Sequence, residues 1–110
     1  MSPKLSVVIP CFNEERRFKK GYEHYLSYLK TKKYPWEIIL VNDGSGDQTL
    51  NLMKKLSVST KEVKIISYPN NGGKGYAIVQ GVKAASGKYI LFTDLDHSVP
   101  IATIDSFFEY

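Results

Sequence analysis

Cysteine is nearly absent. Cys11 is the only one in 110 residues, so no disulfide framework holds this chain and a reducing compartment is its natural setting. No apolar run approaches the roughly 18 residues of a membrane span. The N-terminus has no hydrophobic region of signal-peptide length. Internal repeats, linkers and low-complexity tracts are missing. Two phosphate-binding signatures are missing as well. Asn71-Gly72-Gly73-Lys74-Gly75 fails as a P-loop, because glycine rather than serine or threonine follows the lysine and the upstream glycine is lacking; it also fails as G-x-G-x-x-G. Acid is in deficit, leaving a net charge of +4. Much of the excess is local, in Arg16, Arg17, Lys19, Lys20, Lys30, Lys32 and Lys33, and it reads first as a solvated helix face, the alternative being a face that meets an anionic membrane or nucleic acid.

What remains is an ordinary soluble composition, 43% hydrophobic and 24% charged, of a length that supports one core. Short apolar runs alternate with helical periodicity. Leu5 to Pro10, Trp36 to Val41, Val63 to Tyr68 and Lys88 to Phe92 read as buried strands. Glu14 to Lys30 carries Phe18, Tyr22, Tyr25, Leu26 and Leu29 on one helical stripe, with Gly21 a local weakness. Asp47 to Leu56 presents Thr49, Leu52, Met53 and Leu56, and Lys74 to Ala85 presents Ala77, Ile78, Val82 and Ala85. A last helix is expected after Pro100, from Ile101, Ile104, Phe107 and Phe108. This alternation predicts an α/β fold, a Rossmann-like parallel sheet with helices on both faces. Ligands in such sheets bind beyond the carboxyl ends of the strands.

Three of the four predicted strand ends are polar and specific, Pro10-Cys11-Phe12-Asn13-Glu14, Asn42-Asp43-Gly44-Ser45 and Asp94-Leu95-Asp96, and one helix start also carries candidate chemistry. Asp94-Leu95-Asp96 puts two carboxylates one residue apart where a core ends, a costly position unless a cation meets them. A divalent metal holding a phosphorylated ligand fits that pattern. Asn42-Asp43-Gly44-Ser45-Gly46-Asp47 offers a carboxylate to a base or ribose and glycines that admit a ligand; the plainer reading is a loop in which Ser45 or Asp47 caps the next helix. The Gly73-Lys74-Gly75 turn opens a helix, where free N–H groups and Lys74 suit phosphate, or where an exposed lysine simply sits on a turn. Glu14 and Glu15 fit the first turn of a helix, His24 a structural position, and Cys11 a packed one.

Taken in order, Val8-Ile9-Pro10-Cys11-Phe12-Asn13-Glu14-Glu15, Val41-Asn42-Asp43-Gly44-Ser45-Gly46-Asp47, Gly73-Lys74-Gly75 and Asp94-Leu95-Asp96 resemble family 2 glycosyltransferases of the GT-A fold. Asn13-Glu14-Glu15-Arg16-Arg17 and Gly73-Lys74-Gly75-Tyr76-Ala77 look most like the dolichyl- or polyprenyl-phosphate sugar transferases. The resemblance implies a UDP- or GDP-linked sugar donor, Mg²⁺ or Mn²⁺, inversion at the anomeric carbon and a lipid-phosphate acceptor. By position, it places Pro10, Phe12 and Glu14 around the base and ribose, Asp43 on the base, and Lys74 and Gly75 near the donor. Asp94 and Asp96 would hold the metal at the reaction centre, with Ser98 as a further ligand. Asn42, Leu95 and His97 depart from the commoner family residues. The alternatives are a sugar nucleotidyltransferase, which calls for a glycine-rich basic loop after the first strand, and a nucleotide-binding module without catalysis.

The chain ends inside a helical pattern, so it is expected to be the N-terminal donor-binding part of a longer protein, residues 1–110 lacking the acceptor half. That fragment is expected to bind donor without transferring sugar, and to pair through the exposed edge of its last strand. The cytoplasm is the expected location, at the cytoplasmic face of a membrane for a longer protein that associates with one.

Overall fold

A computed structural model describes residues 3–95. The predicted helix after Pro100 therefore lies outside the described residues, as do Asp96, His97 and Ser98. The elements run β1 (Leu5–Cys11), α1 (Phe18–Leu29), β2 (Trp36–Asp43), α2 (Thr49–Ser59), β3 (Val63–Tyr68), α3 (Lys74–Ala84) and β4 (Tyr89–Phe92). All strand pairs are parallel, in the order β3-β2-β1-β4.

The central strands β1 and β2 are covered on both faces, which is why their sequences are almost continuously apolar. Alternate residues serve opposite faces. Leu5, Val7, Ile9, Ile38 and Leu40 pack with Phe18, Tyr25, Leu26 and Leu29 of α1 and with Met53 and Leu56 of α2. Val8, Ile39 and Val41 face the other way, onto Ala77 of α3. The two-faced arrangement expected from the alternation is present.

Several boundaries differ from expectation for identifiable reasons. The first helix begins at Phe18 rather than Glu14. Residues 14–17 form a turn in which the N–H groups of Arg17 and Phe18 both donate to the Glu14 carbonyl, at 3.0 and 2.8 Å. The second begins at Thr49, because the Asp47 carboxylate stays outside the helix and accepts the Thr49 N–H at 2.9 Å. β2 runs two residues past Val41, since Asp43 pairs in register with Tyr68. In α3 the inward positions are Ala77 and Gly81, while Val82 is exposed. A side chain at Gly81 would collide with Val8 and Val41, so the helix lies closer to the sheet than a valine-lined face permits. β4 is not the buried strand its composition suggests: Tyr89, Ile90 and Phe92 are exposed, beside β1 at the edge of the sheet formed by the described residues.

At the amino ends of the strands, Glu37 is buried and highly connected. Its Oε2 accepts from the Ser6 hydroxyl at 2.6 Å and from the Ser86 N–H at 2.7 Å, and its Oε1 meets Lys64 Nζ at 2.7 Å. Ser6 in turn accepts the Gly87 N–H at 2.8 Å. One carboxylate thus joins β1, β2, β3 and the α3–β4 loop. Burial works to raise its pKa, but the bonds from Lys64, Ser6 and Ser86 outweigh burial and the net shift is downward. A depressed carboxylate stabilises the fold above its unfolded pKa of about 4.3 and loses that contribution as pH falls through the lower folded value. Stability should therefore drop on acidification below about pH 4.3. Urea melts at pH 7 and pH 3 should show a smaller pH-dependent loss in Glu37→Gln than in the wild type.

Candidate functional site

The sheet order reverses between β1 and β4. Chain progress through β1, β2 and β3 goes one way across the sheet, and β4 then adds on the far side of β1. A crevice opens beyond the carboxyl ends at such a reversal. A cavity of about 280 Å³ lies there, lined by Pro10 near the end of β1, Phe12 and Glu14 just after it, Asp43 at the end of β2, Lys74 at the start of α3, and Asp94 after β4. Six of the residues singled out in the sequence thus meet in one place. Cys11, Asn71, Gly73 and Ala77 complete the wall, and Gly75 does not line it. A larger hollow of about 580 Å³ sits at the amino ends of the strands, near Trp36 and Lys61, and gathers none of these loops.

Asp43 is buried, and its carboxylate is heavily engaged. Oδ1 accepts from the Tyr68 hydroxyl at 2.5 Å and the Gly72 N–H at 2.9 Å; Oδ2 accepts from Asn71 Nδ2 at 2.7 Å and the Gly73 N–H at 3.0 Å. An ionised carboxylate has about four acceptor sites, so Tyr68 at the end of β3 and the turn before α3 take them all between them. Burial, the bond to Asp43 and the Asp43 charge push the Tyr68 hydroxyl well above its ordinary pKa, which keeps it a donor. Gly44, at φ 70°, adopts a left-handed conformation and leaves room for the backbone of Asn70 and Asn71 to lie against it. Asn71 was not singled out in the sequence as a side chain; the pairing of an Asn-Gly-Gly turn with a strand-end Asp was its only signal.

The β1–α1 and β2–α2 loops are stitched together. Asn13, itself at φ 51°, accepts the Gly46 N–H on Oδ1 at 2.8 Å and donates its own N–H to Ser45 Oγ at 3.0 Å. The Glu14 N–H donates to Thr49 Oγ1 at 2.9 Å. Ser45 and Asp47 therefore hold the loops and the start of α2. Glu14 Oε1 takes Arg17 at 2.9 Å. Cys11 is buried; burial first, then the Glu14 and Asp94 charges, push its thiol up, so it is a packing residue.

Asp94 is placed by contacts the sequence did not reveal. The Tyr25 hydroxyl, fully buried on α1, shares a hydrogen bond with Thr93 Oγ1 at 2.7 Å and donates to the Asp94 carbonyl at 3.1 Å. Gly21 lies one turn away, and a Cβ there would come within 2.8 Å of the Leu95 carbonyl oxygen. The glycine that weakens α1 is the place where the segment after β4 rests on the helix. The Asp94 side chain faces the cavity, with Lys74 Nζ at 2.9 Å from each carboxylate oxygen.

Asp94 is thus a partly exposed carboxylate that already attracts a cation. No group of three or more acidic, histidine or cysteine side chains gathers as a metal cage among the described residues. None is needed for Mg²⁺ or a similar ion, which is bound through one or two carboxylates plus a substrate's phosphates. The donor chemistry at Asp94 fits such an ion.

This sheet, with its cavity at the reversal of strand order, shares the fold of GT-A glycosyltransferases, and solved members superimpose on it. TarS of S. aureus with UDP-GlcNAc is 32% identical, with a TM-score of 0.69 over 84% of this chain and 26% of that one. Glucosyl-3-phosphoglycerate synthase from Mycobacterium tuberculosis, crystallised with Mn²⁺ and UDP, is 25% identical, with a TM-score of 0.58 over 84% of this chain and 33% of that one. The model of glycosyl transferase family 2 matches residues 6–110, and the chain belongs to that family. Among curated relatives, a dolichyl-phosphate beta-glucosyltransferase of Trichomonas vaginalis is 34% identical over 103 residues, covering 89% of this chain and 32% of the relative. The bactoprenol glucosyl transferase of Shigella phage SfV is 36% identical over 106 residues, covering 96% and 34%. The chain spans about a third of the length of these relatives.

The Tyr25 contacts predict a measurable cost. Tyr25→Phe removes one hydroxyl and leaves buried Thr93 Oγ1 short of a partner, which should destabilise the fold by ~1–2 kcal/mol. Urea denaturation checks that value; a loss below about 0.3 kcal/mol would show that the hydroxyl does not anchor the segment.

Proposed function

We propose that this chain is the donor-binding part of an inverting glycosyltransferase that passes a sugar from a UDP- or GDP-linked donor to a polyprenyl phosphate such as dolichyl phosphate. The observation that carries the reading is the meeting of Pro10, Phe12, Glu14, Asp43, Lys74 and Asp94 in one cavity at the reversal of strand order. The naming of the relatives as dolichyl-phosphate and bactoprenol sugar transferases supports the choice of acceptor.

The cavity sorts its residues by chemistry. Pro10 and the half-exposed Phe12 offer apolar surface to a base, and Glu14 lies beside them for ribose hydroxyls. Asp43 works at the base end by setting Asn71 there, its own acceptor sites being filled from within the fold. Lys74, at the N-terminus of α3, contributes a positive charge beside free helical N–H groups, both suited to a diphosphate. Asp94, with Asp96 and Ser98 just beyond it in sequence, would hold Mg²⁺ or Mn²⁺. Such an ion, when bound, stabilises the charge that develops on the departing nucleoside diphosphate. A lipid phosphate is already ionised near neutral pH and attacks without a general base. A lipid-linked acceptor also sets the reaction at a membrane surface, although no helix among the described residues is long and apolar enough to cross one.

Metal-dependent nucleotide binding tests the reading. UDP or GDP should bind at least about tenfold more tightly with Mn²⁺ than with EDTA, a difference of ~1.4 kcal/mol. Asp94→Asn and Asp96→Asn should each shrink that difference. Calorimetry giving equal affinities with and without metal in the wild type would overturn it.

A further inference from the structure

We propose that the Lys74 ammonium occupies the cation position on Asp94 until a divalent ion arrives, and that exchanging one for the other couples metal binding to donor binding. The inference deepens the reading of this site as a metal–nucleotide site and rests on it.

Three observations carry it. First, Lys74 Nζ sits 2.9 Å from both Asp94 oxygens, so it holds the carboxylate that a metal would need. Second, the two ends of Lys74 are held very differently. Its backbone opens α3 directly after Gly73, and the N–H groups of Gly72 and Gly73 are tied to buried Asp43. Its side chain is 62% exposed, so the head can leave Asp94 on its four-carbon stem while the root stays fixed. Third, the other carboxylates of the cavity are already engaged, Glu14 by Arg17 and Asp43 by the loop before α3. An ammonium driven off Asp94 therefore meets no equivalent acid among the described lining residues, whereas a diphosphate entering the cavity offers it one.

The consequence is positive coupling. Metal alone must displace Lys74 and leave it poorly paired; metal with a nucleoside diphosphate displaces it onto phosphate. Each ligand then strengthens the other, by the same factor in both directions. Lys74 would act as a counter-ion in the empty site and as a phosphate ligand in the filled one.

The test is a Mn²⁺ titration, read by the electron paramagnetic resonance of the free ion, on wild type, Lys74→Gln, Lys74→Arg and Asp94→Asn, each with and without UDP or GDP. Without nucleotide, Lys74→Gln should bind Mn²⁺ about two- to fivefold more tightly than wild type, the range expected for loss of a competing, partly exposed ion pair. With nucleotide that advantage should shrink or reverse, so the factor by which nucleotide strengthens Mn²⁺ binding falls. Lys74→Arg should stay near wild type, and Asp94→Asn should bind Mn²⁺ more weakly than any of them. Unchanged or weaker Mn²⁺ binding by Lys74→Gln in the absence of nucleotide overturns the exchange, even where nucleotide binding remains metal-dependent. Nucleotide binding indifferent to Mn²⁺ in the wild type removes the metal–nucleotide reading itself and the exchange with it.

Discussion

The Asp43 carboxylate is the constraint on which the site depends. It is buried at the end of a central strand, where an unpaired charge would be severely penalised. Its solvation is supplied by Tyr68, Asn71, Gly72 and Gly73, so the turn between β3 and α3 is drawn across the carboxyl end of β2. That turn fixes where α3 begins, and with it the root of Lys74. The glycine following Asp43 belongs to the same arrangement, since any side chain at Gly44 would meet the backbone at Asn71.

Around this point the fold places its other parts by close approach rather than by bulk. α3 settles on the sheet through Ala77 and Gly81. α1 receives the segment after β4 at Gly21 and holds it by the Tyr25 hydroxyl. The two ends of the sheet are organised alike, with a buried acid at each: Glu37 gathers serines and a lysine at the amino ends, and Asp43 gathers a turn at the carboxyl ends. The difference is access. Glu37 lies within a network that joins four segments of the fold, whereas Asp43 opens onto a cavity shared with Glu14, Lys74 and Asp94.

Much of this was legible beforehand. The alternation of apolar runs and helical stripes gave the element order, because strands covered on both faces must be apolar throughout while helices need only one stripe. The strand-end acids and the glycine-lysine turn were visible as candidates, because such residues are costly or unusual where a core ends. Less legible were the boundaries set by hydrogen bonds in the loops, such as the start of α1 at Phe18, behind a backbone turn at Glu14, and of α2 at Thr49, behind the Asp47 carboxylate. The loops that carry these bonds are in turn tied together across 30 or more residues of chain, as Glu14 meets Thr49.

The sequence by itself determined the class of fold, the family, and which residues carry charge and polarity to the strand ends, because periodicity and residue type are local properties. The tertiary structure decided everything that needs two distant segments at once. It turned Gly21 from a helix weakness into a seat for Leu95, and Tyr25 from a core aromatic into the anchor of the Asp94 segment. It made Asp43 the holder of a loop as well as a candidate base ligand, and it set Lys74 on Asp94 across 20 residues of chain. A hydrogen bond or an ion pair is defined by ångströms between atoms, and the order of residues along the chain does not contain those distances until the sheet has folded.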